Sequence, residues 1–379
     1  NATGGSIAVV TKSGSNEFHG SAYYSERDDS NIGEDTNGND YPEFNEEMKT
    51  FTASGPIIKD RLFFFVGYEE FERSNPALYG TLDSNAQNKA ETVTSAMAEQ
   101  IKSIAKNTYG YDAGIINGAS FPETHEEMTV KFDAVINDTN RAVLNYSKSE
   151  SFYPRKYNGG ATVFSNNYYT KPPEIERQSV ALYSAITDRL STKLKFSRYT
   201  MDENDNSIGD GLFPEVNIEI GGDNVYLGGD RYRGANHIMV DEDFLVFKAD
   251  YDNDENVITF GIEKAETSVY NLFIARYNGE IRFDSIADFE AGTWSYLRFH
   301  TPIAGNDQVG TAAADFEVEK TTMYLQDKWY ASEDLTIVFG FRYDKVLTPS
   351  KPHLNPKFLE RNGIGNNAAF DFDLIQPRF

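Results

Sequence analysis

The stretch Gly55-Pro56-Ile57-Ile58-Lys59-Asp60-Arg61-Leu62-Phe63-Phe64-Phe65-Val66-Gly67-Tyr68-Glu69 decides how the rest of the chain is read. Lys59-Asp60-Arg61 is a charged cluster between two apolar runs, so the stretch reads as two β-strands joined by a short turn. Four of the six residues Phe63–Tyr68 are aromatic. A strand of that kind needs an apolar medium outside the sheet, or a second sheet packed on it. It lies either in a sandwich core or against lipid.

Working outward, hairpins repeat. Met128–Ile136 and Arg141–Ser151 flank the tight turn Asn137-Asp138-Thr139-Asn140, and Ser179–Thr187 and Lys193–Met201 flank Asp188–Ser191. Asp243–Tyr251 and Val257–Asn271 flank Asp252-Asn253-Asp254-Glu255, and Val318–Tyr330 and Leu335–Val346 flank Ser332-Glu333-Asp334. Leu374–Phe379 opens another strand, while Gly4–Gly14, Phe18–Ser25 and Met48–Ile58 read as strands upstream. The connections between hairpins are long: about 27–47, 74–127, 152–175, 202–237, 272–316 and 348–373. In the second of these, Val93, Met97, Ile101 and Ile104 recur at helical spacing and predict a short helix within Ala90–Lys106.

Tight turns and long loops thus alternate strictly. In an up-and-down barrel all the tight turns fall at one end and all the long loops at the other, the layout of an outer-membrane barrel. A soluble sandwich mixes loop lengths at both ends. The strand faces agree. Met323, Leu325 and Trp329 oppose Thr322, Tyr324, Gln326 and Lys328; Leu335, Ile337, Phe339, Phe341 and Tyr343 oppose Thr336, Gly340, Arg342 and Asp344. One face suits lipid, with Trp329, Tyr343 and Tyr251 as a girdle near the rims; the other suits a wet lumen. The fold class read from this pattern is all-β, a transmembrane antiparallel up-and-down β-barrel.

Composition narrows the partners. The 379 residues carry 35 basic and 59 acidic side chains, a formal charge of −24, which argues against nucleic acid and toward cations or cationic groups. There is no cysteine, hence no disulfide or thiolate metal site. No stretch approaches the roughly 20 apolar residues of a membrane-spanning helix. The mean hydropathy of −0.54 is compatible with a membrane barrel, because only alternate strand residues touch lipid.

Several stretches resemble the TonB-dependent outer-membrane receptors, and more narrowly their Oar-like (OmpA-related) branch. Gly4-Gly5-Ser6-Ile7-Ala8-Val9-Val10-Thr11-Lys12-Ser13-Gly14-Ser15-Asn16-Glu17-Phe18-His19-Gly20-Ser21-Ala22-Tyr23 is similar to that family's junction between plug and barrel. Gly55–Phe65 resembles its second barrel hairpin. Tyr324–Trp329 with Gly340–Asp344 resembles a later hairpin, and Gln376–Phe379 the strand after it. The resemblance implies a last plug strand and junction at 1–14, and at 15–379 roughly the first half of a 22-stranded barrel. Half a barrel would leave two open edges in lipid, so the chain is expected to be a fragment of a longer protein. The resemblance further implies ligand uptake across the outer membrane of a Gram-negative bacterium, through a plugged barrel driven by TonB. The ligand would be a peptide, an oligosaccharide or a metal-associated compound. The partners would be TonB, reached through a segment outside this chain, outer-membrane lipid and lipopolysaccharide, and an extracellular ligand. The alternative is a structural or adhesion protein whose loops bind surfaces or partners without transport.

No catalytic motif stands out: His19, His125, His237, His300 and His353 are scattered, and neither Gly-x-Ser-x-Gly nor His-Glu-x-x-His occurs. The chain is read as a non-enzyme that requires no cofactor. Asp35-x-Asn37-x-Asn39, with Glu46 eleven residues after Asp35, partly follows a calcium-loop spacing, although Asp40 stands where that loop has glycine. Ca²⁺ is therefore the candidate metal there, with Asp202-Glu203-Asn204-Asp205-Asn206 as a weaker second site. The candidate ligand contacts are the loop aromatics Tyr168, Tyr169, Tyr226, Tyr232 and Trp294 and the basic pair Arg231 and Arg233. The plainer reading of the loop aromatics is that they pack the loops against one another over the barrel mouth.

Overall fold

A computed structural model describes the chain apart from residues 1–10, 35–37, 39, 42, 75–77, 159–161 and 303–308. Twelve long strands form its wall: β1 (His19–Asp28), β2 (Asn45–Ile58), β3 (Leu62–Ser74), β4 (Pro122–Asn137), β5 (Asn140–Arg155) and β6 (Glu174–Thr187). They continue with β7 (Leu190–Asn204), β8 (Asn236–Asp252), β9 (Asn256–Phe273), β10 (Ala314–Ser332), β11 (Leu335–Leu347) and β12 (Phe372–Arg378). Each is hydrogen-bonded antiparallel to the next in sequence, with no crossover, and β1 and β12 are the outer strands. This is the up-and-down barrel wall that the turn and loop pattern predicts.

The period of two sorts the wall into faces. Leu182, Leu194, Phe247, Ile262, Met323 and Tyr343 lie side by side in register on the outer face of β6 to β11. Thr129, Ser147, Arg177, Tyr199, Glu242 and Thr267 form the corresponding row on the inner face of β4 to β9. The outer apolar residues stand open, Leu325 and Phe341 at 38% and 53% of their full area, as they must where lipid rather than protein covers them. The inner residues pair with one another. Thr322 donates to Asp344 at 2.6 Å, and Arg342 and Gln376 each donate to the same carboxylate at 2.8 Å.

The aromatic run of β3 serves both faces. Phe64 and Tyr68 share the outer face with Phe132 and Met128 of β4, while Phe65 shares the inner face with Lys131. The chain around Gly14 crosses that inner face so closely that a Cβ there would lie 2.8 Å from the Gly55 carbonyl oxygen. Lys131 ties the same segment down, donating to Ser13 Oγ at 2.8 Å. The expected strand at 4–14 falls largely outside the described residues, and 11–14 are irregular.

The tight turns sit where the sequence places them. Asp60 in the β2–β3 turn and Asp254 in the β8–β9 turn take left-handed backbone, with φ of 62° and 76°. Asp tolerates that region better than most side chains. In the β4–β5 turn, Asn137 Oδ1 accepts from Thr139 N at 3.0 Å and from Asn140 Nδ2 at 2.8 Å. The strands differ from expectation in length. β4 begins at Pro122, six residues before Met128, and β9 and β10 run to 18 and 19 residues. About 9–11 residues suffice to cross the hydrocarbon, so the wall extends beyond it on the long-loop side.

Candidate functional site

The long connections carry regular elements among their described residues. Three of them pool short strands into one five-stranded sheet, in the order Tyr296–Arg298, Glu280–Phe283, Glu215–Ile220, Asp223–Leu227, Thr162–Val163. A fourth adds the helix α1 (Ser95–Tyr109), where the helical spacing predicts one, and 272–316 adds α2 (Ile286–Ala291). The result is a cap at the loop end of the wall.

The cap holds the main apolar core of the molecule. Val93, Ile101, Phe164, Ile218, Val225, Leu227 and Phe289 are buried together, contributed by four different connections. Tyr109 stacks on Phe289 at 5.0 Å and Tyr111 on Phe213 at 4.1 Å. The Glu215–Leu227 hairpin turns on Gly221 and Gly222, both at positive φ, and Gly228 just beyond it meets the Pro214 carbonyl so closely that no side chain fits. Thr92 locks α1's approach to this hairpin, its N and Oγ1 donating to Asp223 Oδ2 at 2.6 and 2.7 Å. The packing of loop aromatics against one another is therefore the arrangement found for Tyr109, Tyr111, Phe164 and Phe213.

A charged knot is built on the paired strand residues Glu215 and Glu280 of this sheet. Arg231 sits 2.7 Å from both Glu215 Oε1 and Glu280 Oε1, and Arg276 also pairs with Glu280. Both glutamates are 1% exposed. The Arg231 guanidinium faces the rings of Tyr157, Tyr226 and Tyr232, each about 5.7–5.9 Å away. Burial pushes Glu215 up to about 7 even with Arg231 beside it. Glu280, served by two guanidinium groups and by Tyr296 OH at 3.2 Å, is held below the usual carboxylate range despite its burial.

The residues singled out from the sequence distribute over this frame. Tyr226, Arg231 and Tyr232 meet in the knot. Arg233 lies 4.1 Å from the centre of the Tyr169 ring and 3.4 Å from Asp205 Oδ2. Arg231-Tyr232-Arg233 is thus not an open basic patch, since both guanidinium groups are already paired. Trp294 is solvent-exposed beyond α2, and Tyr168 is apart from the knot, against Phe121 at 5.6 Å. Of the calcium residues, Asp35, Asn37 and Asn39 lie outside the described residues; Glu46 pairs with Arg27 at 3.0 Å. In the second acidic run, Asp202 pairs with His237, Glu203 with Lys171 and Asp205 with Arg233. Those carboxylates diverge to separate partners, and no cluster of three or more metal-ligating side chains forms among the described residues.

Sequence reasoning passed over Glu215, Glu280 and Lys156. A signal existed for the first: Glu215-Val216-Asn217-Ile218-Glu219-Ile220 alternates and runs into Gly221-Gly222, a two-residue hairpin turn. Lys156 had none.

A wall of this topology carrying a folded cap on its long-loop end defines an outer-membrane barrel. Residues 10–237 match the family described as "Outer membrane beta barrel domain", and the chain belongs to that family. Among solved structures it is similar to the outer membrane transporter YddB from Escherichia coli, at 11% identity and a TM-score of 0.55, covering 95% of this chain and 41% of that one. It is also similar to the copper transporter OprC, at 8% identity and a TM-score of 0.51, covering 97% of this chain and 42% of that one. The chain spans about two-fifths of the length of the structures it matches. No curated protein sequence matches it.

Proposed function

We propose that this chain is part of a TonB-dependent transporter of the Oar-like kind, in which the cap receives a ligand at the cell surface and the barrel passes it inward. The observation that carries the reading is the cap itself: four separate connections at one end of the wall fold around a single core. Ordering chain segments of that length is entropically costly, and a closed, shaped surface over the mouth is what the ordering provides. The resemblance of residues 4–23 to a plug–barrel junction supports 1–14 as the end of the plug and its junction, and 15–379 as the first part of the barrel. Entry into the periplasm is then driven through TonB, with the binding itself supplied by side chains of the loops and lumen.

The test uses the full-length protein in its own cells. Site-specific photo-crosslinking to TonB, and uptake of the compounds that co-purify with the protein, are measured with and without a protonophore. TonB adducts and uptake that stops when the gradient is dissipated support transport. Surface-bound ligand with neither adduct nor uptake would replace it by the adhesive reading.

A further inference from the structure

Several cations of the cap and its base have a carboxylate: the largely buried Arg231 and Arg233 have Glu280 and Asp205, Arg276 has Glu280, and the more open Arg73 and Arg155 share the buried Glu123. Lys156 does not. Its Nζ is shut off from solvent without a hydrogen-bond partner and rests 3.4 Å from the centre of the Tyr79 ring. An ammonium has three protons to donate, and a ring face compensates a lost hydration shell only in part. Lys156 borders a cavity of about 370 Å³ where β4 and β5 leave the wall. Leu78, Tyr79, Phe121 and Tyr168 line it with apolar and aromatic groups, and Arg155 and Glu123 also border it.

We propose that this cavity is a binding subsite for a carboxylate carried next to a ring, with Lys156 swinging from the Tyr79 face onto the carboxylate. The rings of Phe121 and Tyr168, tilted 56° to each other, form a corner in which a sugar or aromatic ring is flanked on two sides. Burial moves the Tyr168 phenol upward, so it keeps its proton beside the cavity. Of the charged side chains that line the cavity, Arg155 and Lys156 stand against the one carboxylate of Glu123, which leaves it locally positive in a protein of net charge −24. The surrounding surface repels anions, so an acid reaches this place for its specific contacts rather than for long-range attraction. A neutral analogue would leave the ammonium unpaired, which is where selectivity arises. Two sources carry this chemistry, an acidic sugar and the aromatic C-terminal residue of a peptide. The inference rests on the cap being a ligand-receiving surface, and names what it receives.

Burial brings Lys156 down to about 8. Around it stand Tyr79, Tyr168, Arg155 and Glu123, with Arg73 behind Glu123. Burial moves Tyr168 upward, away from this range. Loss of the Lys156 proton therefore makes binding fall as pH rises through about 8.

The experiment is calorimetric titration of the detergent-purified full-length protein with four probes: digalacturonate, neutral digalactoside, an Ala-Phe dipeptide, and the same dipeptide amidated. One acidic probe is expected to bind at least about tenfold more tightly than its neutral counterpart, and which one identifies the source. Lys156→Gln is expected to remove that preference and its pH dependence, and Lys156→Arg to keep the preference while abolishing the fall near pH 8. Equal binding of acidic and neutral probes, no binding of either acid, or an unchanged Lys156→Gln protein would each overturn the proposal. The comparison within the wild type stands even if a variant misfolds. A protein that crosslinks to TonB but shows no acid preference keeps the transport reading and loses this one.

Discussion

At the scale of single residues, close approach and buried charge decide what can change. Tyr324 of β10 lies across Gly261 of β9, its registered partner on the inner face, so closely that any Cβ at 261 would overlap the ring. Gly261→Val is expected to displace that ring and to cost about 1–3 kcal/mol, seen as a lower midpoint for loss of the fast-migrating folded band on unboiled gels. Arg231 is the second case. Arg231→Met leaves Glu215 and Glu280 buried with Arg276 alone, an expected loss of about 3–5 kcal/mol for the cap. It should appear as faster proteolysis of the cap on a wall that remains folded. Acid should act in the opposite direction. Burial raises Glu215 from 4.5 to about 7 and Asp205 from 3.8 to about 6. A carboxyl that binds its proton more tightly when folded stabilises the folded form as pH falls between its unfolded and folded values. The cap should therefore melt at a higher temperature near about pH 5.5 than near about pH 8; a midpoint that drops on this acidification would contradict the assignment.

At the scale of elements, the sequence made the wall legible and left most of the cap unread. Wall strands announce themselves because each pairs with its neighbour across a turn of a few residues, so alternation and turn chemistry are local signals. The aromatic run Phe63–Tyr68 was legible for the same reason, and Ile101 and Ile104 announced α1. The cap sheet is different. The Glu215–Leu227 hairpin and the pairing of Glu280–Arg282 with Tyr296–Arg298 are local, but Glu215–Ile218 pairs in parallel with Glu280–Phe283 and Val225–Tyr226 with Thr162–Val163, so the sheet is assembled by pairings between different connections. Nothing adjacent in sequence marks such a pairing, and pieces of two to six residues carry little periodicity. The site residues follow suit: Arg231 and Arg233 read as a basic patch because their acids, Glu215, Glu280 and Asp205, converge only after folding. α1 offers a test of the cap as a unit. Ile101 is fully buried in the cap core, and Ile101→Ala is expected to cost about 2–5 kcal/mol. Protease should then release cap fragments while the wall still shifts on heating; loss of the heat shift would mean that wall and cap fold as one.

At the scale of the whole molecule, the two faces of the wall set what the protein tolerates. Leu325 and Gln326 are neighbours on β10 that point to opposite sides. Leu325→Lys places a charge against lipid and is expected to cost about 2–4 kcal/mol, while Gln326→Lys on the lumen side should be nearly neutral. Urea titration of both variants in lipid vesicles makes the comparison; equal losses would contradict the face assignment.

The excess length of the strands has a consequence for how the cell presents this protein. β9 has 18 residues; at about 3.3 Å per residue and a tilt of about 45° it stands about 40 Å tall, against an apolar band of about 25 Å. The difference lifts the cap clear of the lipid like a lantern on a short tower. Whatever first touches the cell here, whether nutrient, antibody or phage, meets the cap before it meets the membrane.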